Sequence, residues 1–127
     1  MITGIGIDIV EVSRVESAIK RQSFISRVFT PLEQSYCESR GAQRTASYAA
    51  RFAGKEAVMK ALGTGLSSGT WQDVEITVNE AGRPEVRLSG FYAAKAAELG
   101  GTRIHISLSH TKEYAAAQAI VEGEIRP

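Results

Sequence analysis

The chain has 127 residues, 43% hydrophobic and 23% charged, which is the make-up of one ordinary globular domain with a single core. Its 15 Lys and Arg against 14 Asp and Glu leave a net charge of +1, so there is no global field for gripping nucleic acid or an anionic membrane. The balance is uneven: residues 1–60 carry nine basic and six acidic groups, residues 61–127 six and eight. No apolar run approaches the ~20 residues of a membrane span. The start Met1-Ile2-Thr3-Gly4-Ile5 has no basic segment before its apolar stretch, which argues against a signal peptide. Cys37 stands alone, excluding an internal disulfide and fitting a reducing cytoplasm, and two His with one Cys argue against a tetrahedral zinc site.

In chain order, Thr3 to Glu11 alternates as a strand does, with Ile5, Ile7 and Ile9 on one face and Gly4, Gly6, Asp8 and Val10 on the other. The two glycines leave room beside Asp8 for another backbone or a ligand. Ser13-Arg14-Val15-Glu16 reads as a capping box opening a short helix through about Arg21. Thr30-Pro31-Leu32-Glu33 repeats the device with proline at the first helical position, and that helix should end near Gly41. Residues 44–62 are rich in Ala and nearly free of β-branched residues, which predicts the longest helix, stopped by Gly63.

The segment from Gly63 to Gly69 is a loop. Asp73–Val78 alternates as a strand, and Asn79 to Pro84 turns the chain into a second one at Glu85–Leu88. An Ala-rich helix at Phe91–Leu99 closes on Gly100-Gly101. Ile104, Ile106 and Leu108 then alternate with polar residues, and a turn at His110–Glu113 returns the chain as Tyr114–Val121. These elements define an α+β domain with an antiparallel sheet, spanning 1–127 without repeat or linker.

Three stretches hold residues suited to chemistry. Asp8 sits in an otherwise apolar strand, where a carboxylate needs a partner, a metal or solvent; the simpler alternative is a strand-end Asp accepting backbone N–H bonds. In Arg51-Phe52-Ala53-Gly54-Lys55-Glu56-Ala57-Val58-Met59-Lys60, helical spacing puts Tyr48, Phe52 and Met59 in one apolar sector with Glu56 beside it. A solvated helix with surface ion pairs is the alternative there, and Glu56 at the edge of an aromatic face speaks against it. Ser107-Leu108-Ser109-His110-Thr111-Lys112 ends a strand with hydroxyls, an imidazole and an ammonium, a set suited to an anion. Adjacent Ser109 and His110 point to opposite faces and make no nucleophile–base pair. Gly63-Thr64-Gly65 follows a helix instead of opening one, so it is neither a Walker loop nor a dinucleotide fingerprint. Two acids, several basic groups and one His suit a Mg²⁺-bridged phosphate ester better than zinc or thiol chemistry.

The Gly6-Ile7-Asp8-Ile9-Val10-Glu11 strand, the Arg51-Phe52-Ala53-Gly54-Lys55-Glu56-Ala57 helix and the tail from Ile106 to Ala117 resemble, in order and separation, the three motif blocks of the small phosphopantetheinyl transferases. The resemblance covers Met1 to Glu122 and implies that family's fold, an antiparallel sheet packed against a long central helix. It implies transfer of the 4′-phosphopantetheine arm of coenzyme A to a serine of apo acyl carrier protein, in fatty acid biosynthesis, with release of adenosine 3′,5′-bisphosphate.

By motif, Asp8 and Glu56 would bind Mg²⁺, and Glu56, or a metal-bound water it orients, would serve as base for the serine. Larger relatives carry a further acid two residues after the first; Val10 stands there in this chain. Arg51, Lys55, Lys60 and His110 would meet the coenzyme A phosphates, with Gly63, Gly65, Arg83, Pro84 and Thr111 near the nucleotide. His110 would join Asp8 and Glu56 in the catalytic set; some relatives carry an Asp right after this His, where Thr111 stands here, a departure that bears on any acid–base role at that position. The helix bearing Arg14 and Arg21 would meet the acidic helix of the carrier, and the small members form homotrimers with active sites between subunits. The rival reading is a non-catalytic oligomeric module that holds an acidic carrier or a nucleotide through Arg14, Arg21, Arg51 and Lys55. It leaves Asp8 without a purpose.

Overall fold

A computed structural model describes residues 1–66 and 68–124, except for the side chain of Thr102. The chain runs β1 (Ile2–Glu11), α1 (Val12–Ala18), α2 (Gln22–Val28), α3 (Pro31–Glu38), α4 (Arg44–Ala61), β2 (Val74–Val78), β3 (Pro84–Leu88), α5 (Gly90–Glu98), β4 (Gly101–His110) and β5 (Tyr114–Gly123). β1, β5 and β4 form an antiparallel sheet in that spatial order, and β2 with β3 forms a separate hairpin. The α+β class and the antiparallel sheet against a long helix are as expected; the hairpin stands apart from the main sheet.

The long helix α4 lies across the inner face of the sheet because both surfaces are made of small residues. Ala53, Ala57 and Ala61 meet Ala117, Ala119 and Val121 of β5, all buried. Gly4 and Gly6 allow the closest approach: a Cβ on either would sit 2.0 Å from the carbonyl oxygen of Ala61 or Ala57. The room that the glycines leave is therefore filled by helix backbone. A second cluster under α1, α2 and α3 gathers Val15, Ile25, Val28, Phe29 and Tyr48, with the Phe29 and Tyr48 rings 4.8 Å apart. These contacts fix one face of β1 inward and the other outward. Ile5, Ile7 and Ile9, on the outward face, are 62%, 67% and 64% exposed.

Two local expectations change. Ser13 does not cap α1; the residue before the helix is Glu11, and no side chain caps it. The helix is carried directly out of β1, so the strand's direction sets its start in place of a capping side chain. It ends at Ala18, and the separate helix α2 packs Ile25 and Val28 into the core. By contrast, the Thr30 box forms as read: the hydroxyl accepts from the Glu33 amide and the Glu33 carboxylate accepts from the Thr30 amide. α3 stops at Glu38, three residues before Gly41.

Candidate active site

Asp8 faces inward from the middle of β1, opposite Ala117 of β5, and its side chain is 10% exposed. Glu56 and Lys60 stand one turn apart on α4, which the Gly4 and Gly6 contacts press against this strand. Lys60 Nζ donates to Asp8 Oδ1 at 2.9 Å and to the Ile7 carbonyl at 3.1 Å. Asp8 Oδ2 is buried with no hydrogen-bond partner among the described residues. Glu56 is half-buried, and its carboxyl is pushed up to about 7 by that burial and then by the Asp8 carboxylate, against the pull of Lys60. Two carboxylates drawn together, with one oxygen unsatisfied and the Lys60 ammonium on the other oxygen of Asp8, form a place that a small hard cation fits. Mg²⁺ takes few protein carboxylates and fills its other positions with water and phosphate oxygens. No group of three or more His, Cys, Asp and Glu side chains converges among the described residues, so an all-protein metal cage is not built here.

A second group lies beside the opposite edge of the sheet. A cleft of ≈ 1380 Å³ is walled by α3 and α4, by the β2–β3 hairpin and by β4, and Arg51, Arg83, Pro84 and His110 line it. Arg51 is only 3% exposed; its guanidinium lies 4.2 Å from the Tyr36 ring centroid, and Nη1 reaches the Ser47 carbonyl at 3.4 Å. Its Nε and Nη2 have no partner among the described residues, so this cation has unused donors in the cleft wall. Asn79 shapes the rim: its side-chain oxygen accepts from the amides of Ala81 and Arg83, and Gly82 turns at φ 82°. His110 Nε2 lies 3.2 Å from Gln43 Oε1. Thr111 closes the β4–β5 turn, its hydroxyl accepting from the Tyr114 amide at 3.1 Å and the Glu113 amide at 3.3 Å.

Lys55 requires correction. It is fully buried, with Nζ 2.8 Å from Glu33 Oε1 and donating to the carbonyls of Trp71 and Val74. Those three acceptors use its three protons, so it ties α4 to α3 and β2 and has no donor left for a phosphate. Glu33 completes the tie by accepting from the Ile76 amide. The buried role of Glu33 has no sequence signal beyond the capping box, which ordinarily sits at the surface. Lys60, expected among the phosphate ligands, pairs with Asp8 and keeps a half-exposed ammonium.

Gly63 and Gly65 follow Lys60 at the end of α4 with φ of 77° and 59°. Arg14, on α1, lines a second, mostly apolar cleft of ≈ 490 Å³ together with Val15, Phe24, Phe52 and Glu56. Arg21 stands exposed just before α2. Tyr36, Arg40 and Gln43 also line the basic cleft and were not singled out in the sequence. Their only signal there is the four-residue spacing of Tyr36 and Arg40, which puts a guanidinium carbon 5.4 Å from the ring centroid.

The sequence model of the 4′-phosphopantetheinyl transferase superfamily matches residues 4–119, and the chain belongs to that superfamily. Among curated relatives, the holo-[acyl-carrier-protein] synthase of Moorella thermoacetica is 55% identical over 118 residues, 92% of this chain and 91% of the relative. That of Koribacter versatilis is 49% identical over 125 residues, 96% and 99% of the two chains. The solved holo-[acyl-carrier-protein] synthase of Neisseria meningitidis superposes with a TM-score of 0.85 at 34% identity, covering 96% of this chain and 99% of that one. The Bacillus anthracis enzyme, solved in complex with CoA (3′,5′-ADP), gives 0.81 at 35% identity, covering 98% and 99%. Within the superfamily the chain is an enzyme of the holo-[acyl-carrier-protein] synthase type.

Proposed function

We propose that this protein transfers the 4′-phosphopantetheine group of coenzyme A to a serine of apo acyl carrier protein, releasing adenosine 3′,5′-bisphosphate, and that it serves fatty acid biosynthesis. The observation that carries the reading is the Asp8–Glu56 pair, with Asp8 buried and its Oδ2 unsatisfied beside Lys60. Asp8 and Glu56 would hold Mg²⁺, which when bound neutralises charge on the pyrophosphate as the leaving group departs. Glu56 takes the serine proton; the serine oxygen bonds to the phosphorus of the pantetheine phosphate, and the pyrophosphate P–O bond breaks. Arg51 offers unused charged donors to a phosphate, and His110 a ring nitrogen. Arg83 and Pro84 form the wall for the nucleotide, with Gly63 and Gly65 at the pyrophosphate end. Thr111 sets the turn that presents His110.

The acid pair and the basic cleft lie by opposite edges of the β1-β5-β4 sheet, and neither Asp8, Glu56 nor Lys60 lines the cleft. A homotrimer reconciles them, with the acid pair of one chain facing the cleft of the next. The exposed Ile5, Ile7 and Ile9 offer an apolar surface for that packing. The carrier docks with its acidic helix on Arg14 and Arg21, where the apolar groove leads to Glu56. No described helix is long and apolar enough to cross a membrane, and the enzyme is assigned to the cytoplasm with its carrier substrate.

Mass spectrometry of apo acyl carrier protein incubated with this protein, coenzyme A and Mg²⁺ tests the proposal. The expected result is a gain of about 340 Da, one phosphopantetheine on one serine. Coenzyme A bound without any mass gain would favour the non-catalytic module.

A further inference from the structure

The loop after α4 is short of packing where a ligand would meet it. A Cβ added to Gly63 or Gly65 would meet nothing within 4 Å, and both glycines have positive φ with Thr64 between them at negative φ. The Gly63 and Thr64 amides are taken by the carbonyls of Lys60 at 2.9 Å and Met59 at 3.2 Å, so the helix cap fixes the first part of the turn. Gly65 lies past that cap, where a glycine has a large conformational entropy and a ligand-binding loop needs a further restraint.

Tyr92 supplies one. It lies on α5, fully buried, with its ring 5.1 Å from the Phe91 ring in an edge-on contact. Its hydroxyl donates to the Gly65 carbonyl at 2.8 Å. The same ring lies against Gly69, where an added Cβ would come within 2.4 Å of it. A single rigid side chain thus touches the loop at two points four residues apart. The hydroxyl fixes the outer turn, and the ring leaves no space for any residue but glycine at the far end. The ring packs in the core, and the hydroxyl ties that packing to the loop through the Gly65 carbonyl.

We propose that Tyr92 is a positioning residue for coenzyme A binding: it holds Gly65, just past the capped end of α4, in the conformation in which the turn meets the phosphates. This rests on the assignment of that turn to coenzyme A. Tyr92 touches neither substrate nor reacting atoms and acts through Gly65.

Tyr92→Phe keeps the ring and removes the hydroxyl. The expected result is a KM for coenzyme A raised about three- to tenfold, the factor one neutral hydrogen bond supports, with kcat and the carrier KM unchanged. Calorimetric affinity for coenzyme A should fall by the same factor, and amide exchange in the loop should quicken. Gly69→Ala, which pushes a methyl group into the ring, should give the same signature from the other end. If wild-type protein transfers phosphopantetheine while Tyr92→Phe binds coenzyme A as tightly as wild type, the proposal is overturned and the transferase reading stands. A lowered melting temperature with unchanged kinetic constants would likewise overturn it, reducing Tyr92 to packing. Should wild-type protein neither bind nor turn over coenzyme A, the transferase reading itself fails, and the role given to Tyr92 fails with it.

Discussion

The two edges of the three-stranded sheet are built for opposite charges and by different means. At the β1 edge, two carboxylates are pressed together by a helix packed on glycine, and a half-exposed lysine is their cation. At the β4 edge, an almost fully buried arginine stacked on Tyr36 looks into a wide cleft with two of its nitrogens unpartnered. Each edge is short of the charge that the other holds in excess. A half-site of this kind is stable only while its deficit is partly met, by Lys60 on one side and by the Tyr36 ring face on the other. The contrast teaches that the chain keeps its acid pair and its basic cleft apart, at opposite edges of one sheet.

The strongest way to break that contrast is to remove one half. Asp8→Ala or Glu56→Ala should lower transfer by about 10²–10³-fold or more with a near-native circular dichroism spectrum, as loss of the main charge-stabilising element does. Mixing inactive Glu56→Gln protein with a defective Arg51→Ala protein, after mild dissociation and reassembly, should restore transfer well above the sum of the two. No restoration would place both halves within one chain's reach and count against the shared site.

Breaking the buried tie instead should cost stability. Lys55→Met leaves Glu33 charged and buried, and urea denaturation should show a loss of about 3–5 kcal/mol, with Glu33→Leu/Lys55→Met recovering much of it. A Lys55→Met protein of native stability with weakened coenzyme A affinity would return Lys55 to the phosphates. Arg51→Lys keeps the charge and loses the planar fork, so coenzyme A affinity by calorimetry should fall about 10- to 100-fold. The smallest effect belongs to the carrier surface. Arg14→Glu should raise the carrier KM about tenfold at low ionic strength, and the difference should shrink as salt is added.

The long helix, the Thr30 capping box, the β2–β3 turn and the β4–β5 hairpin were all legible in the sequence, because each is fixed by neighbours within a few residues. Asp8 and Glu56 were legible as candidates because an acid in an apolar strand and an acid beside an aromatic face both conflict with their local pattern. Lys55 misled for the same reason in reverse. Next to Glu56 in a basic stretch it reads as a ligand, while its true partner, Glu33, is 22 positions earlier and hidden in an ordinary cap. The helix α2 escaped notice because its apolar positions, Phe24, Ile25 and Val28, are too few to show a period.

By itself, the sequence determined the order of elements, the small residues of β1 and α4, and the acidic and basic residues proposed to make a phosphate site. Spacing and residue size act locally, so they can be read along the chain. Only the tertiary structure decided which face of β1 is buried, that Lys55 serves the core, that Lys60 answers Asp8, and that the acidic and basic halves lie by opposite sheet edges. Those outcomes depend on which distant groups share a low-dielectric space, and the strand order β1-β5-β4 sets that.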